Sequence, residues 1–482
     1  MFFLFRNTKS FFCKALCLLF CSLLLGCGVI IGTTVDAARN IVTYPLKEYV
    51  FWGAYKYDNN WQTPYKEIQI EKKYGDVLVG VAVSGGGSRS AYFFASIIKE
   101  LHKIKLASKK SIVDEIDYIS SVSGGSLASA YYCLARYNNK QSKNDPLFFD
   151  KFKKAMHCNF QIQALARILC GFWVLDLVTY YNRGDLLAGI WEDNFWGNAT
   201  FRDLLQAEKN GAPKLIINGT DLSGGHKFVF STIKDSQFNS SQYFKALREA
   251  GFIKHATTES HIPFKTIGFE TLNSDISPYR VSKAVVASAS VPNLLGPVTL
   301  RDYTQKSRFL NISDGGIYDN YGVESLMQIF TSILDKNPGM KAKIIIIDGS
   351  GYFDVDKLDS GDLDVAYYSQ RPLEVSWLRT KNYMEYVFKQ ANKFTNKKGQ
   401  TPYKNLEYEV LSLYDVLPSQ EKSTSITGEK AIDSILRPDI TTLNFFKKIS
   451  SIQTNFAISS EDATIVDEVA KKVVHKLRNK KQ

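Results

Sequence analysis

Residues 76–83, Asp-Val-Leu-Val-Gly-Val-Ala-Val, run straight into Ser84-Gly85-Gly86-Gly87-Ser88-Arg89, and this junction constrains the fold more than any other stretch of the chain. A near-continuous β-branched run suits a strand covered on both faces, the habit of parallel sheets. Three successive glycines then permit a tight turn that the interior of a helix or strand would resist. From Ala91 to Leu106 the apolar residues Phe94, Ile97, Ile98, Leu101 and Ile104 return at helical spacing. A second unit of strand, glycine turn and helix follows. Ile116–Val122 reads as its strand, Ser123-Gly124-Gly125-Ser126 as its turn, and Leu127 to Arg136 as its helix. Alternation of this kind predicts an α/β layer fold with a mainly parallel central sheet, to which Lys214–Asn218 and Lys343–Asp348 add strands.

With 482 residues, 45% of them hydrophobic, the chain has enough apolar material for a sizeable core, which excludes a disordered or collagen-like protein. The length accommodates one large domain with extensions, or two to three smaller ones. The sequence divides into an amino-terminal apolar segment at 1–26, a polar and aromatic tether at 27–74, an α/β domain at 75–350 and a C-terminal extension at 351–482. Within the domain, 139–212 reads as a helical insertion. It contains the aromatic run Ile168–Leu175, which Arg167 and Asp176 confine to eight residues, too few to span a bilayer. That run fits either core packing or a lid over a lipid site. The extension ends in an amphipathic helix, with Val466, Val469, Ala470, Val473 and Leu477 on one face and acids leading to bases along its length. The acidic stretch Asp354–Asp364 fails the calcium-loop template, because Leu358 takes the third ligand position, and reads as a solvated loop.

The formal charge of +12 favours anionic surfaces, but no dense Lys/Arg block interleaved with aromatics lies mid-chain, so no nucleic-acid partner is expected. Four of the seven cysteines (Cys13, Cys17, Cys21, Cys27) fall in the amino-terminal stretch. Cys133, Cys158 and Cys170 remain, too few for a disulfide scaffold, and whether they pair is left open. There is no Cys-x-x-Cys, and the six histidines never approach metal-ligand spacing, so no metal site is expected.

Arg6, Lys9 and Lys14 precede the apolar run Ala15–Leu25, the order of an export signal. Removal of 1–26 would lower the charge surplus from +12 to +9. Leu24-Leu25-Gly26-Cys27 resembles the lipobox of bacterial lipoproteins. That resemblance implies lipidation of Cys27 and, because Gly28 is not aspartate, a place in the outer membrane. Two alternatives stay open: a signal anchor through Ile31, and ordinary cleavage after Ala37 giving a secreted product. All three imply export or membrane attachment.

Three elements carry chemistry. Ser121-Val122-Ser123-Gly124-Gly125 is a relative of Gly-x-Ser-x-Gly, in which a sharp strand-to-helix turn with small neighbours exposes a nucleophilic hydroxyl. Ser84–Arg89 offers unobstructed backbone N–H groups suited to a phosphate or to the oxyanion of acyl transfer; it is neither a P-loop nor Gly-x-Gly-x-x-Gly. Ser313-Asp314-Gly315-Gly316-Ile317-Tyr318-Asp319-Asn320 supplies an aspartate followed by two glycines, by itself an ordinary turn.

In this order the three resemble the motifs of the patatin-like phospholipases over about residues 75–350. Asn273–Arg280 and the small-residue stretch Ala284–Pro292 extend the likeness. Ser84 and Ser90 stand where many relatives have aspartate and glycine, which brings the first motif nearer the cytosolic phospholipase A2 branch. Ser121 replaces the first glycine of the second motif, a departure that bears on head-group and chain preference.

The resemblance implies a three-layer patatin-like fold and a dyad with Ser123 as nucleophile and Asp314 as base. It implies Gly86 and Gly87 as oxyanion donors with Gly85 beside them, and Gly125 and Gly315 as supports of their motifs. Arg89 matches a basic residue of the family, either pairing to fix the loop or touching substrate. Asp319 and Asn320 take turn roles. The substrate would be phospholipid or lysophospholipid at a membrane surface, with no cofactor. Two other readings stay open. A non-patatin carboxylesterase of the α/β-hydrolase kind needs a late histidine, and only His475 follows Asp314. A catalytically silent lipid-binding surface lipoprotein would have no use for an intact Ser123 and Asp314.

Overall fold

The computed structural model describes residues 75–106, 108–138, 140–168, 183–241, 243–245, 265–292, 294–305, 308–337, 339–351, 375–380, 405–415, 448–449, 451–452 and 455–479. The export segment, Cys27, the tether, most of the aromatic run at 168–175, Cys170, the acidic stretch at 354–364, His255 and His261 lie outside them.

In chain order, β1 (Val77–Val83) leads to α1 (Gly87–His102), and β2 (Tyr118–Val122) to α2 (Gly124–Tyr137). Both helices start at their glycines, earlier than the apolar spacing alone indicates. The helices α3 (Phe148–Met156), α4 (Phe160–Arg167), α5 (Arg183–Trp191) and α6 (Phe201–Lys209) follow. Then come β3 (Lys214–Asp221), β4 (His226–Ser231), β5 (Thr266–Ile267), α7 (Val281–Ser288), β6 (Val298–Asp302) and β7 (Arg308–Asp314). The chain continues through α8 (Val323–Lys336), β8 (Lys341–Asp348), β9 (Leu406–Ser412) and α9 (Ser460–Asn479).

The strands form one sheet in the order β5-β4-β3-β2-β1-β8-β9, with β7 pairing to both β3 and β6. The path from β3 through β2, β1 and β8 to β9 is parallel throughout, while β3/β4, β3/β7 and β6/β7 are antiparallel. The expected mainly parallel sheet is thus present, with an antiparallel flank. On β1 alternate residues face opposite layers, as the two-residue period of a strand requires. Val81 and Val83 join the cluster containing α1, α2 and α9, whereas Leu78 and Ala82 join the one containing α8. These are the three layers of an α/β sandwich. Gly80 belongs to the second contact: a Cβ there would lie 2.7 Å from Cζ of Phe330.

The described part of the 139–212 insertion packs as core. Phe152 on α3 stacks on Tyr131 of α2, with ring centroids 5.3 Å apart, and meets Phe94 of α1 edge-on. The expected break at 350 does not divide the packing. β9 extends the sheet from Ala342↔Leu406 to Asp348↔Ser412, and the apolar face of α9, from Val466 to Leu477, lies buried in the same cluster as α1. Cys133 and Cys158 form no disulfide among the described residues. Among the described residues no helix is long and apolar enough to cross a membrane, and no group of three or more His, Cys, Asp or Glu side chains is arranged to hold a metal ion.

Candidate active site

Ser123 occupies the turn between β2 and α2 with φ 53° and ψ −123°. A side chain with positive φ is uncommon outside glycine and costs about 1–3 kcal/mol, so the surroundings must enforce it. They do so through Ser288 at the end of α7. The Ser123 N–H donates to Ser288 Oγ at 2.9 Å, and that hydroxyl donates in turn to the carbonyl of Asn218 on β3 at 2.6 Å. Close packing completes the turn. A Cβ on Gly124 would lie 2.0 Å from the carbonyl oxygen of Gly87, and one on Gly125 2.6 Å from that of Ser84. Having no side chain, Gly125 lets the second strand-helix unit sit directly on the first. The arrangement leaves Ser123 8% exposed at the start of a helix whose first N–H groups have no intrahelical acceptor.

Asp314 reaches the same place from another strand. Parallel pairing sets Val122 beside Asn218, and antiparallel pairing sets Gly219 beside Asp314, so the serine and the aspartate flank the Asn218–Gly219 step of β3. Gly315 permits this approach: a Cβ on it would be 2.3 Å from the Asn218 carbonyl oxygen. Asp314 is 2% exposed. Its Oδ1 accepts the Gly316 N–H at 2.7 Å, and its buried Oδ2 has no partner of full hydrogen-bond geometry. Burial pushes its pKa from the ordinary 3.8 up to about 7, against the opposing pull of the Gly316 N–H and the neighbouring Ser123 hydroxyl. A carboxyl group that titrates near neutrality beside a serine hydroxyl is suited to take the serine's proton.

The glycine loop borders the pair. A Cβ built on Gly85 would sit 3.5 Å from Cβ of Ser123. Of the three glycines expected at the oxyanion hole, Gly85 has its N–H engaged, donating to the carbonyl of Asn320 at 3.0 Å. Gly86, with φ 139°, caps α1, and Gly87 is its first residue; neither N–H has an acceptor among the described residues. Arg89 is 3% exposed and donates from Nε to the Gly349 carbonyl at 2.9 Å and from its guanidinium to the Ile452 carbonyl. Of its two possible roles, these contacts are those of an anchor for the loop. Asp319, just before the Gly322 cap of α8, accepts the N–H groups of Tyr321 and Glu324 at 3.0 and 2.9 Å, and Asn320 Nδ2 donates to Ser350 Oγ at 2.9 Å. Both hold the turn, as expected.

The four described histidines engage elsewhere. His102 stacks on Phe149, His157 lies beside Tyr92, His226 lies 3.8 Å from Asp221 and His475 pairs with Asn479.

Ser288 and Asn218 were not expected from the sequence. Asn218 ends a stretch that reads only as a strand, and Ser288 lies in the small-residue run Ala284–Pro292, which stands out as a stretch without a role for any one serine.

A mostly parallel α/β sandwich thus brings together a serine on a strained strand-to-helix turn, a buried aspartate and two glycine N–H groups that have no acceptor among the described residues, a combination compatible with a hydrolase. The sequence matches the patatin-like phospholipase family over residues 81–327, and the chain belongs to that family. Among solved structures, it resembles human GIVD cytosolic phospholipase A2, with 12% identity, 84% of this chain and 60% of that one covered, and a TM-score of 0.44. The same human protein in complex with methyl gamma-linolenyl fluorophosphonate gives 13% identity, 84% and 58% coverage, and a TM-score of 0.40. The chain thus spans about 60% of the length of those relatives. No curated protein matches its sequence.

Proposed function

We propose that the protein is a serine acyl hydrolase that releases fatty acid from phospholipids or lysophospholipids at a membrane surface. The observation that carries this reading is the pairing of Ser123, held at positive φ, with Asp314, a carboxyl pushed up to about 7 by burial. Ser123 Oγ attacks the acyl carbonyl carbon as its proton passes to Asp314. The negative oxygen of the tetrahedral intermediate is held by the N–H groups of Gly86 and Gly87. Collapse breaks the ester bond, and the leaving alkoxide takes the proton back from Asp314. Water then attacks the acyl-serine, giving its proton to Asp314, and the second tetrahedral intermediate releases fatty acid as Ser123 recovers its proton. No histidine is needed at any step.

Product analysis on phospholipid vesicles tests the reading. Folded Ser123→Ala protein should release no fatty acid, and wild-type release from that variant would refute the assignment. Attachment is part of the same proposal, through a lipidated Cys27, which would bring the enzyme to its insoluble substrate. Cys27→Ser should abolish incorporation of labelled fatty acid in cells; unchanged labelling would leave the anchor or the secreted form.

A further inference from the structure

The loop that supplies the oxyanion donors is gripped by a part of the chain far outside the family-matched region. The first turn of a helix leaves its N–H groups without intrahelical acceptors, so Gly87, Ser88 and Arg89 all begin with donors to place. Ser88 donates its N–H to the backbone carbonyl of Asn455 at 2.8 Å. Asn455 also bears on Gly87, where a Cβ would lie 2.6 Å from its carbonyl oxygen and 3.0 Å from its backbone nitrogen. The opposite side of Gly87 rests on the serine turn through its contact with Gly124. The Gly87 peptide is therefore clamped between the nucleophile's helix and Asn455.

Asn455 is itself held in place. Its Oδ1 accepts the N–H of Ala457 at 2.9 Å, closing a local turn, and the Phe456 carbonyl accepts the N–H of Phe160 at 3.0 Å. On the amino-terminal side the guanidinium of Arg89 holds the Ile452 carbonyl; beyond it, Ile458 is buried and α9 packs along α1. Three successive glycines are intrinsically loose, and an oxyanion hole works only when its donors are fixed before the charge develops.

We propose that Asn455 is a positioning residue for acyl transfer. It takes up the Ser88 N–H and clamps Gly87, so that the unpaired donors left beside Ser123 are those of Gly86 and Gly87. This rests on the hydrolase reading above. The interaction it supports forms in the transition state, so its loss falls on kcat rather than KM.

The test uses the full-length protein, phospholipid vesicles for turnover and a serine-directed fluorophosphonate, whose phosphonyl oxygen occupies the same hole. Asn455→Ala and Asn455→Gln both lose the turn to Ala457, the second by moving its amide out of reach. Asn455→Ser keeps a hydroxyl oxygen within reach. The first two should lower kcat and the rate of phosphonylation together, by roughly tenfold to a hundredfold with KM little changed, while Asn455→Ser stays within a few-fold of wild type. If Asn455→Ala does not fold, the contrast between Gln and Ser decides. Wild-type protein that is not phosphonylated at Ser123 overturns the hydrolase reading and this inference with it. A labelled wild type whose Asn455→Ala and Asn455→Gln variants react at the same rate, or lose only KM, overturns this inference alone.

Discussion

A carboxylate buried as deeply as Asp314, 2% exposed, carries its charge only at a cost to the fold. In the unfolded chain the group loses its proton near its ordinary 3.8, whereas in the fold it keeps it to about 7. The native state therefore holds an extra proton between those values. The stability this contributes is complete below about pH 4 and is lost as pH rises through about 7; the difference corresponds to about 4 kcal/mol. Asn cannot titrate but can still accept the Gly316 N–H. Asp314→Asn should thus lose activity about as completely as Ser123→Ala, the two acting as a unit, and yet be more stable than wild type at about pH 8. Its advantage in melting temperature should shrink as pH falls towards about 5, and wild-type activity should rise with pH through about 7. Thermal unfolding of both proteins at the two pH values, beside their turnover, is the measurement. An Asn variant less stable at about pH 8, or an advantage that ignores pH, would show that the buried charge is not what this site carries.

Among the elements, α7 contributes no reacting atom and still decides where one stands. Ser288, wholly buried, joins the Ser123 N–H to the Asn218 carbonyl and also meets Ser126 Oγ at 3.0 Å. Ser288→Ala leaves a buried N–H and a buried carbonyl without their partner, at a cost of about 1–3 kcal/mol for each unsatisfied group. It also frees a backbone held at positive φ. Turnover should fall roughly tenfold or more with KM little changed, because only the nucleophile's approach is disturbed; wild-type kcat in the folded variant would show that the turn needs no such brace. That role could not be read from the sequence. The two strand-glycine-helix units were legible because their whole pattern lies within some thirty consecutive residues, from Val77 to Leu106 and from Ile116 to Arg136. Ser288 acts through Asn218, 70 positions away, and Gly85 loses its donor to Asn320. Contacts of that kind are set by sheet register and leave no periodic trace.

On the scale of the molecule, the change in composition after Ser350 marks a boundary in the sequence that is not one in the fold. The stretch beyond it is rich in Lys, Tyr and Asn, while the strand and helix described there, β9 and α9, are one short and the other interspersed with charge. β9 follows β8 in parallel for seven residue pairs, covering an edge whose Ile344, Ile345, Ile346 and Ile347 are all buried. α9 covers α1 with Val466, Val469, Ala470, Val473 and Leu477, and its Asp467 accepts from Ser96 Oγ at 2.7 Å and Lys153 Nζ at 2.6 Å. The amphipathic face of that helix was legible; what it docks on was not, because α1 lies some 370 positions earlier. A fragment of residues 75–350 would expose both the β8 edge and the outer face of α1, a long unpaired strand and a contiguous apolar surface together. It should aggregate or unfold without cooperativity, although it contains Ser123, Asp314 and the entire glycine loop. Circular dichroism and thermal unfolding of the fragment against the full chain decide it. A soluble fragment with a cooperative transition near that of the full chain would mean that the sheet and α1 are complete without β9 and α9, and that 351–482 is an appendage after all.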